Sequence, residues 1–213
     1  MDTFTVLPID ESEADDILKF KNSHFHNHDP VERALPGTKH KSNDAEVILF
    51  GIKNGFALKA VDQETSTLVG FVVGVPTFLN VVDELKRSAA TVDDTNRAYI
   101  NNLVAYLESK ANIFGRFKVE RRIHVPTLCV HSDYRGHKIG TKLFEAAIAG
   151  ARTRQFELIT VHCSSSYSAR IAVCLKMDLV FTVTYQEYND HLGKQLFMPV
   201  GPHTEIATYA LVL

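Results

Sequence analysis

Apolar residues recur along the chain with two periods, and the switches between them mark out the elements. Residues 4–9 alternate and predict a short opening strand. Asp10 or Ser12 stands where a helix cap is expected, followed by acidic residues and an apolar stripe of Ile17, Leu18 and Phe20. Residues 24–41 are rich in His, Pro, Gly and charge, and read as a loop or a broken helix. Asn43 or Asp44 starts a second helix, which carries Val47, Leu49 and Phe50 and ends near Asn54-Gly55. Residues 56–61 and 68–78 hold β-formers on either side of the turn Asp62-Gln63-Glu64-Thr65-Ser66, the pattern of a hairpin. Residues 83–94 read as a polar connection. Tyr99, Leu103, Tyr106, Leu107 and Ile113 then recur at helical spacing.

The second half alternates strand and helix. Residues 122–131 predict a strand. Residues 139–152 predict a helix with Ile139, Leu143, Ala146, Ala147 and Gly150 on one side. Residues 156–163 predict a strand, and Ser165 or Ser166 caps a helix that runs to about Met177. Residues 180–185 and 207–212 are closing strands. This order implies an α/β chain with a parallel strand pair inside a mixed central sheet. Ligands of such sheets lie beyond the carboxyl ends of the central strands. No repeat or low-complexity tract interrupts the pattern.

Composition narrows the reading. A length of 213 residues with no visible linker suits one domain, 1–213. A formal net charge of −2 argues against wholesale nucleic-acid binding. Cys129, Cys163 and Cys174 are odd in number and widely spaced, which fits neither a disulfide framework nor a zinc site. Residues 1–10 lack a basic start followed by an apolar run, and no apolar stretch is long enough for a membrane span. A cytoplasmic protein without membrane, nucleic-acid or metal partners is expected, as a monomer or homodimer. His24, His26 and His28 alternate within the polar loop, a spacing that suits a solvated segment better than a metal triad.

One string carries chemistry. Tyr134-Arg135-Gly136-His137-Lys138-Ile139-Gly140-Thr141 lies between a predicted strand and a predicted helix. Gly136 admits a positive φ and a close backbone approach, and Gly140 would allow a similar approach to a ligand. The first N–H groups of a helix have no helical partner and carry the positive end of its dipole, so they can converge on a diphosphate. Arg135 and Lys138 add charge, and Thr141 adds a hydroxyl. Neither a Walker loop nor a dinucleotide fingerprint is present. By itself the string also fits a glycine-containing helix start that binds nothing.

The segment Arg135-Gly136-His137-Lys138-Ile139-Gly140 resembles the Arg/Gln-x-x-Gly-x-Gly/Ala motif of the GCN5-related N-acetyltransferase (GNAT) superfamily. Val161-His162-Cys163-Ser164-Ser165-Ser166-Tyr167-Ser168-Ala169-Arg170 is similar to a segment of the insect-type arylalkylamine N-acetyltransferases. Asn112-Ile113-Phe114, Pro202-His203 and Phe25-His26-Asn27-His28-Asp29-Pro30 also resemble family positions. The likeness covers most of the chain and is best from Tyr106 onward.

The resemblance implies the GNAT fold, with a splayed parallel pair that holds acyl-CoA and helices on both faces. It implies acetyl-CoA as cosubstrate and transfer of the acetyl group to a small amine by direct attack in a ternary complex. Leu128, Cys129 and Val130 would pair with the pantetheine arm. Arg135, Gly136, His137, Lys138, Ile139, Gly140 and Thr141 would cradle the pyrophosphate, and Ser168 and Lys176 would also touch the cofactor. Asp29 takes the place of a family glutamate that acts as general base and is one methylene shorter, with Glu32 as a nearby substitute. Ser164 and Ser168 match the proposed catalytic serines. Cys174 stands where many members carry a tyrosine acid. Phe25 and His203 would meet the acceptor, and Tyr106 and Phe114 could add rings to its pocket. The acceptor implied is an arylalkylamine such as dopamine, tyramine, octopamine or a serotonin-like amine. A polyamine, another small amine or a longer acyl donor is the alternative within the fold. A catalytically weak acyl-CoA-binding module is the alternative outside catalysis.

Overall fold

In the computed structural model, residues 4–25, 28–36, 44–199 and 201–213 are described. His26, Asn27 and the candidate cap Asn43 lie outside them. Seven strands form one mixed sheet in the order β1-β2-β3-β4-β5-β7-β6. They are β1 (Phe4–Pro8), β2 (Ala57–Asp62), β3 (Leu68–Phe78), β4 (Arg121–Val130), β5 (Leu158–Cys163), β6 (Asp178–Thr184) and β7 (Glu205–Val212). β4 and β5 are the parallel pair, and the neighbouring pairs are antiparallel. The mixed sheet with a parallel pair agrees with the pattern read from the sequence.

Helices α1 (Ala14–His24), α2 (Pro30–Ala34) and α3 (Asp44–Lys53) lie in the first part of the chain. Asp10 caps the 3-10 turn ahead of α1 in a capping box with Glu13. Helices α4 (Val81–Thr91), α5 (Thr95–Ala111) and α6 (Ile113–Phe117) follow β3. Helices α7 (Ile139–Thr153), α8 (Ser166–Cys174) and α9 (Tyr185–Leu192) punctuate the second half.

Three elements differ from the sequence reading. The segment expected to be a polar connection contains α4. None of its residues is fully buried, so its polar majority hides the spacing of Val81, Leu85 and Ser88, which face a cavity. Asp83 and Glu84 in its first turn complement the helix dipole. The closing strand expected to end at Tyr185 stops at Thr184, and Tyr185 begins α9. Thr184 and Glu187 form a capping box, and Gly193 ends the helix at φ 66. Ile113, grouped with α5 by spacing, belongs to α6, because Asn112 takes a left-handed φ of 45 and breaks the helix before it.

The core lies on both faces of the sheet. On one face Ile139, Leu143, Phe144 and Ala147 of α7 pack against Val72, Ile123, Val125 and Ile159. On the other, Ile17 of α1 and Ile48 of α3 pack against Phe71, Val73 and Cys129. Leu103 and Leu107 of α5 pack beyond them with Tyr185 and Tyr188 of α9. Along β4 the facing changes partway. Ile123 and Val125 face α7, but after Pro126 it is Leu128 and Val130 that join the α7 cluster while Cys129 joins the opposite one. The cause is a bulge. Val73 pairs with Thr127 and Val75 with His124, so Gly74 alone opposes Val125 and Pro126. One extra residue flips every later side chain to the other face.

Gly70 of β3 sits under α7 and opposite Val130. A Cβ there would lie 2.9 Å from the Cys129 carbonyl oxygen and 3.2 Å from Leu143 Cδ1. The carbonyl is backbone and cannot swing aside. Gly70→Ala should therefore lower stability by about 1–3 kcal/mol, the usual range for overpacking, as read from the midpoint of urea unfolding.

Candidate active site

The parallel pair supplies the frame. β4 and β5 are paired only at Ile123–Ile159, His124–Thr160 and Val125–Val161. Pro126 follows and has no N–H to donate. From Thr127 to Val130, β4 stays bonded to β3 on one side, while its other edge no longer meets β5. Leu128, Cys129 and Val130, expected to meet a pantetheine arm, lie on this half-free stretch. An amide-bearing arm laid there would find backbone partners that the fold leaves unpaired.

The turn after β4 leads into α7. Gly136 has a φ of 87, and a Cβ built on it would meet nothing within 4 Å. Backbone conformation, not lack of space, is what calls for glycine here. Lys138, the residue before α7, has a left-handed φ of 62 and makes no side-chain cap. The first-turn N–H groups of this 15-residue helix therefore have no capping side chain. Arg135, Gly136, His137 and Lys138 are exposed around them, and Thr141 is half-buried. This donor set suits a diphosphate. Gly140 has a different role from the one expected. It is buried, and an added Cβ would lie 3.0 Å from Ile171 Cδ1, so glycine here lets α7 approach α8. Ile139 is likewise enclosed in the core under the turn.

On the opposite side of the sheet a cavity of about 630 Å³ reaches the point where β4 and β5 part. Phe25, Asp29, Glu32, Glu46, Phe50 and Glu108 line it from the helices and their ends, and Phe78, His124, His162 and Ser164 line it from the strands and their ends. Asp29 caps α2. Its Oδ1 accepts from the N–H groups of Val31 (2.9 Å) and Glu32 (3.1 Å). Its Oδ2 accepts from Ser164 Oγ at 3.0 Å, across 135 residues of chain. Burial pushes the Asp29 carboxyl up, helped by the charge of Glu32, and the three hydrogen bonds offset part of that rise.

The remaining candidates separate. Ser164 meets Asp29, whereas Ser168 turns back on its own helix. Its hydroxyl donates to the Ser165 carbonyl at 2.9 Å and shares a 3.0 Å bond with Ser165 Oγ, completing a capping box. Ser168 and His203 are not among the residues lining the cavity. His203 Nδ1 accepts from Ser166 N–H at 3.3 Å, and its ring meets Tyr167 edge-on. Lys176 is exposed, with a left-handed φ of 57 just after α8, the conformation of a helix-ending residue. Cys174 is exposed. Burial pushes the thiols of Cys129 and Cys163 up to about 12, which makes them packing groups and not nucleophiles. Phe25 lines the cavity. Tyr106 packs with Tyr188 and His191, and Phe114 lies beneath the Arg122 guanidinium, both away from the lining.

The sequence reading missed a polar cluster on the cavity floor. Arg122 is fully enclosed and pairs with Glu108, and it donates to Thr160 Oγ1 at 2.7 Å. Glu108 Oε1 also lies 3.0 Å from His162 Nε2, and His162 Nδ1 lies 2.9 Å from Thr208 Oγ1. His124 Nδ1 lies 3.1 Å from Thr160 Oγ1, and the two imidazoles are 4.6 Å apart. Burial alone would raise the Glu108 carboxyl, but the hydrogen bond and charge of His162 and the Arg122 guanidinium hold it well below the usual range. An ionised carboxylate only accepts, so His162 Nε2 carries the proton and donates. Burial, with the His162 and Arg122 charges, keeps His124 neutral. Ligating atoms of Glu108, His124 and His162 lie within 4.8 Å of one another. A metal there would have to displace the Arg122 and His162 protons from Glu108. The cluster fits a hydrogen-bonded network better than a metal centre. The one available signal was Glu108, an acid inside the apolar stripe of α5.

A protein-family model described as the acetyltransferase (GNAT) domain matches residues 74–172. Over that segment the chain is similar to GNAT acetyltransferases. Three solved structures share its architecture along nearly their whole lengths. A mosquito arylalkylamine N-acetyltransferase-like protein 5b has a TM-score of 0.92 at 24% identity, with 99% of this chain and 100% of that one covered. An agmatine N-acetyltransferase has a TM-score of 0.92 at 25% identity, with 100% of each chain covered. A Drosophila melanogaster polyamine N-acetyltransferase, whose product is N-acetylagmatine, has a TM-score of 0.90 at 26% identity, with 99% and 100% covered. No helix among the described residues is long and apolar enough to cross a membrane.

Removing the Glu108 charge would leave the Arg122 guanidinium buried without its partner. Glu108→Gln should cost about 3–5 kcal/mol, measured by chemical denaturation at pH 7. Because the folded carboxyl lies below its unfolded value, this contribution is present at pH values above the unfolded pKa. It is lost only as pH falls through the folded one. The stability gap between wild type and variant should therefore hold from pH 7 to about pH 5 and narrow only in stronger acid.

Proposed function

We propose that this protein transfers the acetyl group of acetyl-CoA to the primary amine of a small arylalkylamine. The observation that carries the reading is the Asp29–Ser164 pair, held in a cavity that ends where β4 and β5 part. Acetyl-CoA lies along the free edge of β4, with its pyrophosphate on the first turn of α7 beside Arg135 and Lys138. The thioester then faces the cavity from the parting point.

Free alkylamines are mostly protonated near neutrality, like a lysine with a pKa of about 10.4. A base must first take a proton from the ammonium. Asp29 fills this role, directly or through a water. Its Oδ2 accepts one protein hydrogen bond and keeps a further acceptor site. The free amine attacks the thioester carbonyl carbon and forms the new C–N bond. The C–S bond breaks, the nitrogen gives up its second proton as the amide forms, and the departing thiolate takes up that proton as the CoA thiol. Ser164 orients Asp29 throughout. Phe25, Phe50 and Phe78 receive the aromatic ring.

A second reading changes the acceptor to a diamine or polyamine. Glu32, Glu46 and Glu84 line the same cavity, against Lys21 and Arg97. These carboxylates suit a distal cation, and two of the solved relatives act on agmatine or polyamines. Comparing tyramine-like with agmatine- and spermidine-like amines separates the readings. If Glu46→Gln and Glu84→Gln lower turnover of the dication alone, the second reading holds.

Two variants probe the two ends of the site. Alanine at both Arg135 and Lys138 should weaken acetyl-CoA binding about tenfold or more, since each charge-assisted bond contributes about 1.5–3 kcal/mol. Calorimetry reads this directly. Asp29→Asn keeps a competent cap for α2 and should leave acetyl-CoA affinity unchanged. It should lower kcat by about 10²–10⁴ and abolish the acidic limb of the rate profile. Absence of acetyl-CoA-dependent thiol release across the whole amine panel would sink the enzymatic reading.

A further inference from the structure

His162 and His124 both line the cavity, and their hydrogen bonds differ in what they leave free. His162 is used at both nitrogens, Nε2 by Glu108 and Nδ1 by Thr208 Oγ1. His124 is used at one. Its Nδ1 lies 3.1 Å from Thr160 Oγ1. Thr160 is fully buried, and the same oxygen accepts from Arg122 Nη1 at 2.7 Å. Arginine only donates, so the threonine keeps its own proton to give. Among the described residues the acceptor beside it is His124 Nδ1. Nδ1 therefore accepts, and the one proton of the neutral imidazole sits on Nε2. The buried Arg122 thus fixes the tautomer of His124 through one hydroxyl.

His124 Nε2–H is left as a donor with no hydrogen-bond partner among the described residues. It is not sealed in the protein. The buried polar side-chain atoms without a partner are Arg122 Nε and the Tyr185 hydroxyl, whereas His124 is half-buried and lines the cavity. Val75, its partner in β3, and Leu103, Val104 and Leu107 of α5 line the same space. A lone donor among apolar side chains favours a ligand that carries an acceptor there, because a bare ring leaves the donor unpaired.

The register sets the reach. His124 pairs with Thr160, and Ser164, the partner of Asp29, follows Thr160 by four residues. Four residues at strand rise span about 13 Å. A phenylethylamine holds its nitrogen and a para oxygen roughly 8 Å apart, and a hydrogen bond of about 2.8 Å at each end brings the total close to that span.

We propose that His124 is a specificity-determining residue: its Nε2–H donates to the ring hydroxyl of a hydroxylated phenylethylamine whose amine lies at Asp29. The proposal rests on the reading of the acceptor as an arylalkylamine. A distal cation would meet this donor unfavourably, and the diamine reading relies instead on Glu32, Glu46 and Glu84.

A para-hydroxyl substrate and its bare analogue test the assignment. For wild type, kcat/KM for tyramine should exceed that for β-phenylethylamine about tenfold, the effect of one hydrogen bond. His124→Asn keeps an acceptor for the Thr160 hydroxyl but ends short of the tip donor. It should lower kcat/KM for tyramine about tenfold and leave that for β-phenylethylamine within about twofold, which also shows that the variant is folded. His124→Gln carries an amide N–H near the place of Nε2 and should restore the preference. Equal use of the two amines by wild type, a preference that survives in His124→Asn, or a loss that both amines share overturns the role of His124. Turnover of agmatine with neither phenylethylamine accepted instead overturns the arylalkylamine reading, and the role of His124 with it.

Discussion

The parting of β4 from β5 is the constraint on which the rest of the site depends. Parallel strands bonded along their whole length would close the sheet and leave no backbone for a cofactor. Here pairing stops after Val125, where Pro126 lacks a donor and the bulge opposite Gly74 twists the strand. The same bulge changes which side chains face α7. That exchange packs the half-buried Leu128 and Val130 against α7 and leaves His124 lining the cavity. A single extra residue thus opens the edge, seats the turn and orients the cavity floor.

Directly before the parting point lies the polar cluster of Glu108, Arg122, Thr160, His124 and His162. It joins α5 to β4 and β5, and to β7 through Thr208. Burying such an ion pair gives little net stability, because desolvation opposes the Coulomb gain. Its effect is on geometry. Apart from Arg122 Nε, which is buried with no hydrogen-bond partner among the described residues, the groups have fixed partners, so the strands are held in register just where they are about to separate. The charge on Glu108 keeps the cluster anionic at one atom and fixes the His162 tautomer.

The acceptor end is assembled from distant pieces. Asp29 is first a helix cap, with two N–H groups on one oxygen, and only then a partner for Ser164 at the end of β5. A cap is a rigid mount, so the shorter side chain of aspartate is offset by a backbone that brings it to the strand end. Helix α2 is tied from behind by Met198 N–H on the Ala34 carbonyl. The helix is therefore fastened to the chain just ahead of β7, and Asp29 N–H also bonds the Phe25 carbonyl before it.

The elements with one dominant signal were legible from the sequence alone. The hairpin, the parallel pair and the turn from Tyr134 to Lys138 followed from periodicity and glycine placement, and the motif pair pointed to the acetyltransferase family. The helix α4 was overlooked although its apolar residues share one side, because that side borders the cavity and none of its residues is buried. The helix α9 was overlooked although Thr184, Glu187 and Gly193 spelled its two ends, because Tyr185 also completes a strand pattern. Gly140 looked like a ligand contact and is a helix-packing position, a difference set by Ile171 on another element. Ser164 and Ser168, equivalent as letters, are divided by the cap geometry of α8. Local sequence thus determined the hairpin, the parallel pair and the glycine turn before α7, where the signal lies within a few consecutive residues. Tertiary structure decided the partners of Asp29 and the buried charge of Glu108, because each depends on groups that meet only when the sheet has formed.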